Sequence, residues 1–291
     1  MSKPAQQPTT LLIPAIAAAL KAGDAILEVY GTSDFGVEEK SDHSPLTLAD
    51  SRSHNIIAFD LKEIGIPLLS EEGREIPFEE RQSWPLLWIV DPLDGTKEFI
   101  KRNGEFTVNI ALVKQQRPIL GVIYVPVTGA LYFAAEPAGA FFIDRAGMPG
   151  MPGMPESVDE GGDAAWLDRL IASAEKLPLG GKYGPEAVRP YTIMGSRSHA
   201  TPELSVFVEK MRERHGNVEL ISAGSSLKFC RVAEGAADIY PRMGPTMEWD
   251  TAAGQAIVEM AGGRVYDYRT RLPLGYNKPE LTNPWFVVEQ G

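Results

Sequence analysis

The 291-residue sequence is poor in cysteine and in positive charge, and each shortage excludes a class of protein. Its one cysteine, Cys230, cannot form an internal disulfide and is typical of a reducing cytosol. Lys and Arg number 28 against 39 Asp and Glu, and the resulting net charge of −11 argues against a surface that coats nucleic acid. An anionic substrate is not excluded, because a bound divalent cation can invert the local field.

Long apolar runs are also missing. No stretch reaches the roughly 18 uninterrupted apolar residues of a transmembrane helix. The apolar segment 11–20 has the composition of a signal-peptide core, but it continues into 21–31 with apolar residues near helical spacing. We therefore predict an amphipathic helix in a protein that is soluble or at most peripheral.

The pattern of apolar residues changes between the two halves of the chain. Between residues 106 and 143, the segments FTVNIALV, ILGVIYVP, ALYFAA and AFFI have strand composition with turn signals between them, which predicts an antiparallel meander. Beyond residue 190, short strands alternate with helical patterns. We predict an N-terminal α+β domain over 1–189 and a C-terminal α/β domain over 190–291. The Met-Pro-Gly repeat within 147–162 is interpreted as a surface insertion whose role is open.

Acidic residues stand where predicted strands end or a predicted helix begins. Glu71 and Glu72 follow IPLLS, Asp91 and Asp94 follow LLWIV, and Asp250 opens the helical pattern WDTAAGQAIVEM. Strand ends of one sheet can converge, and carboxylates gathered there without a counter-charge would cost several kcal/mol or take up protons. Such hard oxygen donors suit Mg²⁺ or Mn²⁺ and not zinc.

The segment DPLDGTKEFI carries the densest signal. Pro92 fixes the backbone between its two aspartates, so both carboxylates can point at one place and the carbonyl of Leu93 can turn inward. Gly95 and Thr96 then begin a short helix whose free amide groups form an anion site. Cations beside such a site predict a metal-assisted phosphatase. A helix-capping Asp94 among solvated surface acids is the plainer alternative.

Two other motifs have a similar composition but a different spacing. An EF-hand loop places its acids at alternate positions before the glycine, whereas here they are three residues apart. In the D-x-D-G-T signature of haloacid-dehalogenase phosphatases the first aspartate is phosphorylated, and this sequence has one residue too many between the acids.

DPLDGT together with WDTAAG resembles the inositol monophosphatase family of magnesium-dependent, lithium-sensitive phosphatases. The stretches SPLTLAD, LLSEEG, GSRSH, GSSLKFCRVAEG and YPRMGPTMEWDTAAG narrow the resemblance to the bacterial 3′(2′),5′-bisphosphate nucleotidases of sulfate assimilation, over nearly all of the chain from about residue 10. The resemblance implies a layered α/β/α/β/α sandwich of the fructose-1,6-bisphosphatase type. It also implies hydrolysis of adenosine 3′,5′-bisphosphate to AMP and phosphate.

The resemblance assigns roles to individual residues. The implied ligands of two to three Mg²⁺ ions, with Mn²⁺ as an alternative and Li⁺ as an inhibitor, are Glu71, Asp91, the Leu93 carbonyl, Asp94 and Asp250. Asp50 and Thr96 would align the attacking water, and are the implied catalytic pair. The implied substrate-binding residues are Glu71, Leu93, Asp94, Gly95, Thr96, His199, Ser225, Ser226, Lys228, Arg242 and Asp250.

Two alternatives to a nucleotidase remain open at this point. One is an inositol or sugar phosphatase of the same family, and the other is a non-catalytic regulator that binds magnesium or a nucleotide. The expected partner is a small-molecule nucleotide bisphosphate and not a nucleic acid. No transmembrane segment is expected in the protein. The expected location is the cytoplasm or the cytoplasmic face of the inner membrane, and the oligomeric state is not predicted.

Overall fold

The structure is a computed structural model that describes residues 7–39, 45–150, 162–180, 189–196 and 201–291. His199 and most of the Met-Pro-Gly repeat lie outside these ranges. The first helix, α1 (Pro8–Tyr30), is followed by a short antiparallel pair, β1 (Glu38–Glu39) and β2 (Pro45–Leu46), and by α2 (Leu48–Lys62). Thr47 caps α2, since its hydroxyl accepts a hydrogen bond from the amide of Ala49.

In the described residues, seven strands form the larger sheet in the order β3 to β9. They are β3 (Leu68–Ser70), β4 (Leu86–Asp94), β5 (Thr107–Lys114), β6 (Arg117–Val125), β7 (Ala130–Ala135), β8 (Gly139–Asp144) and β9 (Glu175–Lys176). The pair β3 and β4 is parallel and the other pairs are antiparallel, which confirms the predicted meander. Short helices α3 (Phe78–Arg81) and α4 (Thr96–Ile100) flank β4, and α5 (Gly162–Ser173) precedes β9.

The second half alternates between strands and helices as predicted. Its strands are β10 (Tyr191–Ser196), β11 (Val218–Ala223), β12 (Ile239–Arg242), β13 (Arg264–Asp267) and β14 (Phe286–Glu289). Its helices are α6 (Pro202–His215), α7 (Leu227–Glu234) and α8 (Ala252–Met260). Within the described ranges the five strands form one mixed sheet in the order β11-β10-β12-β14-β13.

Three apolar clusters show how the layers stack. The first joins α1, α2 and α5 to one face of the larger sheet, the second joins its other face to α7, α8 and the smaller sheet, and the third joins the far face of the smaller sheet to α6. The order is therefore helix, sheet, helix, sheet, helix, and the predicted sandwich is confirmed. Because helices cover both faces of the larger sheet, strands such as β7 are apolar at every position instead of alternating.

Glycines let α8 approach its neighbours closely. A β-carbon at Gly121 on β6 would overlap the carbonyl oxygen of Ala253, and one at Gly254 would overlap the ring of Phe229 on α7. The contact of α8 with both the sheet and α7 depends on these missing side chains. The second cluster thus contains residues from both halves of the chain, and the division into domains at 189/190 stays a prediction.

The first helix is mostly part of the core. Among the described residues, α1 is long and apolar enough to cross a membrane by length and composition, yet 56% of its most apolar stretch is buried inside the structure. Leu12, Ile16 and Ile26 pack in the first cluster. The predicted helix is confirmed, with its apolar side against the larger sheet.

Two predicted boundaries near the acidic residues are wrong. Asp91 and Asp94 do not follow β4 but lie inside it, because backbone pairing with β5 continues to Asp94. Asp250 does not open α8; it ends a 3₁₀ turn, Glu248–Asp250, and α8 begins at Ala252. In this turn the Asp250 carboxylate accepts a hydrogen bond from the amide of Met247 at 2.9 Å, so the side chain helps to form the turn itself.

Candidate active site

A cavity of about 360 Å³ opens where the end of β4, the loop before α7 and the 3₁₀ turn meet. It brings together all the predicted metal ligands and all the described substrate-binding candidates. Its lining includes Glu71, Asp91, Leu93, Asp94, Gly95, Thr96, Ser225, Ser226, Lys228, Arg242 and Asp250. Of the other predicted residues, Asp50 lies behind Thr96 and His199 is outside the described ranges.

A β-bulge aims both aspartates of DPLD at this cavity. Asp91 pairs with Asn109 of β5 and Asp94 pairs with Thr107, so β4 has one extra residue between the two pairs. In a regular strand, residues three apart point to opposite faces, and the extra residue corrects this. Cross-strand partners share a face, and therefore Asp91 and Asp94 both lie on the face of Thr107 and Asn109. A buried serine, Ser53 of α2, donates to the Pro92 carbonyl within the bulge at 2.6 Å.

The carboxylates repel one another strongly. Burial raises the pKa of Asp91 well above its usual range, and the charges of Glu71, Asp94, Asp250 and Asp50 raise it further. Burial, followed by the charge of Asp94, raises the pKa of Asp250 to about 8. A cation among these groups would relieve both effects.

The donor chemistry of this group fits a hard divalent cation. All of the predicted ligand atoms are carboxylate or carbonyl oxygens, the donors that Mg²⁺ takes in proteins. Within the ranges that the structure describes, no three His, Cys, Asp or Glu side chains already stand in the arrangement of a finished metal site. The fit to a cation therefore rests on the type of donor atom and on the cavity that these residues share.

The predicted catalytic pair is in direct contact. The Thr96 hydroxyl lies 3.1 Å from Oδ1 of Asp50, close enough to donate a hydrogen bond to it. Oδ2 of Asp50 accepts from the backbone amide of Thr47 at 2.8 Å and from the Thr47 hydroxyl. Asp50 is thus held by the start of its own helix, and the Thr96 oxygen keeps its lone pairs for an approaching hydrogen.

Asp94 is held by Ser226, which the resemblance implied as a substrate-binding residue, and by Asn109, to which nothing in the sequence analysis drew attention. Its Oδ2 accepts from the Ser226 hydroxyl at 2.6 Å and from Nδ2 of Asn109 at 3.2 Å. The Asn109 amide also donates to the Ser226 oxygen at 2.9 Å, and its own oxygen accepts from the Thr107 hydroxyl at 2.9 Å. The available signal was a pair of polar residues at alternate positions of the otherwise apolar segment FTVNIALV.

The loop before α7 is tightly constrained. Ser225 has a positive φ of 44°, which is unusual for a residue with a side chain, and its hydroxyl is buried without a hydrogen-bond partner in the described part of the chain. The amide of Gly224 donates to the Glu105 carboxylate at 2.8 Å. A β-carbon at Gly224 would stand 2.7 Å from the Glu105 carbonyl oxygen, so this position has no room for a side chain.

The two cationic side chains of the cavity differ in their surroundings. The Lys228 ammonium donates to the carbonyls of Ala223 and Ser225, and burial lowers its pKa to about 8. Lys228 therefore stabilises the loop through two of its carbonyl groups and is not a solvated helix lysine. The guanidinium of Arg242 donates to the Pro245 carbonyl at 3.1 Å, while its Nε is buried and, in the described ranges, unpartnered.

An ion pair between the buried Glu248 and the partly exposed Lys278 supports the 3₁₀ turn that carries Asp250. Glu248 is fully buried and accepts from the Lys278 ammonium at 2.6 Å and from the Asn277 amide at 2.6 Å. Arg81 of α3 joins the same segment, since it donates to the carbonyl groups of Lys278 and Pro279. The turn is therefore fixed to the segment 277–279 by an ion pair and by hydrogen bonds to Glu248.

The sequence profile of the inositol monophosphatase family matches residues 7–289, which is almost the whole chain. The chain belongs to the inositol monophosphatase family. It is 43% identical to the 3′(2′),5′-bisphosphate nucleotidase CysQ of Escherichia coli K12 over 274 residues, covering 93% of this chain and 96% of that protein. The family predicted from the sequence is confirmed.

Solved structures show the same relationship. The crystal structure of CysQ from Bacteroides thetaiotaomicron, a bacterial member of the family, has a TM-score of 0.82 and 51% identity, covering 95% of this chain and 96% of that one. SuhB from Bartonella henselae has a TM-score of 0.68 at 24% identity, with 96% and 93% covered, and this likeness shows the fold alone.

Proposed function

We propose that this chain is a Mg²⁺-dependent 3′(2′),5′-bisphosphate nucleotidase that hydrolyses the 3′-phosphate of adenosine 3′,5′-bisphosphate to give AMP and phosphate. The observation that carries the proposal is the cavity lined by the carboxylates of Asp91, Asp94 and Asp250 together with Ser225 and Arg242, whose Oγ and Nε have no hydrogen-bond partner among the described residues. One side of the cavity is suited to cations and the other to an anion. The named relatives act as support, since those at 43% identity are bisphosphate nucleotidases.

Glu71, Asp91, the Leu93 carbonyl, Asp94 and Asp250 would hold the cations. When bound, Mg²⁺ supplies charge neutralisation at the phosphoryl oxygens and acidifies the attacking water. Hydrolysis of a phosphate monoester needs a barrier reduction of more than about 20 kcal/mol, and one acid–base pair contributes only a few powers of ten. The carboxylates that hold the cations therefore account for more of the rate than the catalytic pair does.

Asp50 and Thr96 position the nucleophile. Because the Thr96 hydroxyl donates its hydrogen bond to Asp50, the Thr96 oxygen is left to accept a hydrogen bond from the attacking water. This contact turns a lone pair of the water toward phosphorus. Asp50 is the acceptor at the end of this chain of hydrogen bonds. The attack is in line with the departing ribose oxygen.

The opposite side of the cavity binds the rest of the nucleotide. The Ser225 hydroxyl and the Arg242 guanidinium offer hydrogen bonds to the second, non-reacting phosphate, and a charged donor suits this acidic protein. Lys228 holds the backbone of the Ser225 loop, and its direct contact with phosphate stays a prediction, as does that of His199. Inhibition by lithium and a cytoplasmic location are parts of the same proposal; attachment to a membrane stays a prediction without a supporting feature here.

Phosphate release from three substrates tests the proposal. Adenosine 3′,5′-bisphosphate, inositol 1-phosphate and fructose 1,6-bisphosphate are compared with Mg²⁺ and with EDTA. We expect the nucleotide to have the highest kcat/KM, and turnover to disappear with EDTA. Preference for inositol 1-phosphate would indicate an inositol phosphatase, and no turnover of any substrate with Mg²⁺ would contradict an enzymatic role.

A further inference from the structure

The hydrogen bonds to Asp94 distinguish its two carboxylate oxygens. Oδ2 accepts from Ser226 and Asn109, whereas Oδ1 accepts no hydrogen bond from any described residue. The side chain is therefore held from one side only. Its other oxygen remains for whatever occupies the cavity.

We propose that Asn109, with its amide oriented by Thr107, is a positioning residue that fixes the Asp94 carboxylate for cation binding. The inference rests on the proposed function, because it concerns the same ions. Asn109 is 1% exposed and Thr107 is fully buried, so neither side chain is placed to contact a nucleotide. Both act through Asp94 and Ser226.

The orientation of the Asn109 amide is determined by its partners. Thr107 lies two residues away on the same face of β5, and its hydroxyl donates to the amide oxygen. The amide nitrogen is thereby turned toward two acceptors, Oδ2 of Asp94 and the Ser226 oxygen. With the amide reversed, its oxygen would face the carboxylate oxygen and repel it.

A neutral donor is the appropriate group at this position. It fixes the direction of the carboxylate without cancelling the negative charge that a cation needs, as a lysine or arginine would. Ser226 extends the arrangement, since its hydroxyl also lies 3.0 Å from the Asp250 carbonyl oxygen. One buried amide therefore links the bulge of β4 to the turn that carries Asp250. Polar groups around metal ligands commonly change affinity 10- to 100-fold when removed.

The test is Mg²⁺ binding to the substrate-free protein by calorimetry, together with the melting temperature in EDTA. Asn109→Leu keeps the approximate side-chain size, and we expect its Mg²⁺ dissociation constant to rise by about 10- to 100-fold. Thr107→Val should raise the constant in the same direction by a smaller factor, while Thr107→Ser, which keeps the hydroxyl, should restore the parental value. In turnover, half-saturating Mg²⁺ should rise more than the KM for nucleotide at saturating Mg²⁺.

Thr192→Val is the matched control, because Thr192 is also a buried strand threonine but contacts Arg189 and Asp238 instead of the cavity. Its Mg²⁺ affinity should be unchanged. A folded Asn109→Leu or Thr107→Val protein with the parental Mg²⁺ constant would overturn the inference and leave the proposed function intact. If Asn109→Leu does not fold, the Thr107 pair decides alone. Absence of Mg²⁺ binding by the unaltered protein would overturn both the inference and the proposed function.

Discussion

The Thr96 hydroxyl donates to Oδ1 of Asp50 across 3.1 Å and so connects the starts of two helices, α4 and α2. Asp50 is at the same time the residue whose carboxylate closes the capping box of α2. One side chain thus serves local structure and the site together. A substitution of Asp50 would disturb both, which makes Thr96 the cleaner position to test.

Thr96→Val should lower kcat by about 10²- to 10⁴-fold, because valine keeps the shape of threonine but cannot orient water. Thr96→Ser retains the hydroxyl and should keep most of the activity. Steady-state phosphate release at saturating Mg²⁺ measures the effect, and the KM for the nucleotide should change little in either variant. A valine variant with near-parental kcat would show that Thr96 does not position the nucleophile.

The stability of the Mg²⁺-free protein should fall as pH rises from about 5 to 8. The pKa of Asp250 is raised to about 8 in the folded chain, against a usual value of 3.8. Between these values the folded state binds more protons than the unfolded state, so unfolding becomes easier as pH rises, by at most about 1.4 kcal/mol per pH unit for one group. Asp91, whose pKa is also raised, acts in the same direction.

Melting curves with EDTA and with Mg²⁺ at pH 5, 6, 7 and 8 measure this dependence. Mg²⁺ should stabilise more strongly at pH 8 than at pH 5, since protons and the cation compete for the same carboxylates. Asp250→Asn removes one of the titrating groups and should flatten the dependence in EDTA. A constant Mg²⁺-induced shift across this range would be inconsistent with buried, ion-binding carboxylates.

Much of the fold, and the acidic residues that line the cavity, could be predicted from the sequence because the signals are local. Asp91 and Asp94 stand in one short motif with a proline and a glycine, and residues 191–260 carry clear alternation of strands and helices. The antiparallel meander followed from composition and turn residues alone. The acids at Glu71 and Asp250 were identified by the resemblance and by their place beside apolar segments.

The bulge could not be predicted, because it is a property of two strands. Only the register with β5 reveals that Asp94 lies opposite Thr107 and that β4 contains an extra residue. Asn109 was overlooked for a similar reason, since a polar residue that alternates with apolar ones in a strand reads as one that faces solvent. Covering both faces of the sheet with helices turns that residue inward and obliges it to find partners.

The surroundings of Lys228 could not be predicted from the sequence either. A lysine in a helical pattern normally extends into water. Here the Lys228 ammonium instead donates to the carbonyl of Ser225, three residues earlier in the chain. Ser225, whose carbonyl makes this contact, also has a positive φ. Such a contact depends on the backbone conformation of a single residue, for which a serine gives no warning.

Arg242→Ala should raise the KM for adenosine 3′,5′-bisphosphate by about 10- to 100-fold, because a charge-assisted hydrogen bond to the non-reacting phosphate is lost. The KM for inositol 1-phosphate, which has no second phosphate, should stay within a factor of about three, and kcat should change little for either substrate. Arg242→Lys keeps the charge without the planar donor set, and its KM for adenosine 3′,5′-bisphosphate should lie between those of the parental protein and of Arg242→Ala. Equal rises of KM for both substrates would contradict a contact with the second phosphate.

Gly224→Ala tests whether the conformation of the loop before α7 determines nucleotide binding. The new β-carbon would stand 2.7 Å from both the Glu105 carbonyl oxygen and Cγ of Glu98, so the loop must move and carry Ser225 with it. We expect the KM for adenosine 3′,5′-bisphosphate to rise about tenfold or more, since displacements of about 1 Å have such effects. Gly180→Ala is the control, because a β-carbon there meets no atom of the described residues within 4 Å. Parental KM in the Gly224 variant, with the melting temperature retained, would mean that the cavity tolerates a displaced Ser225.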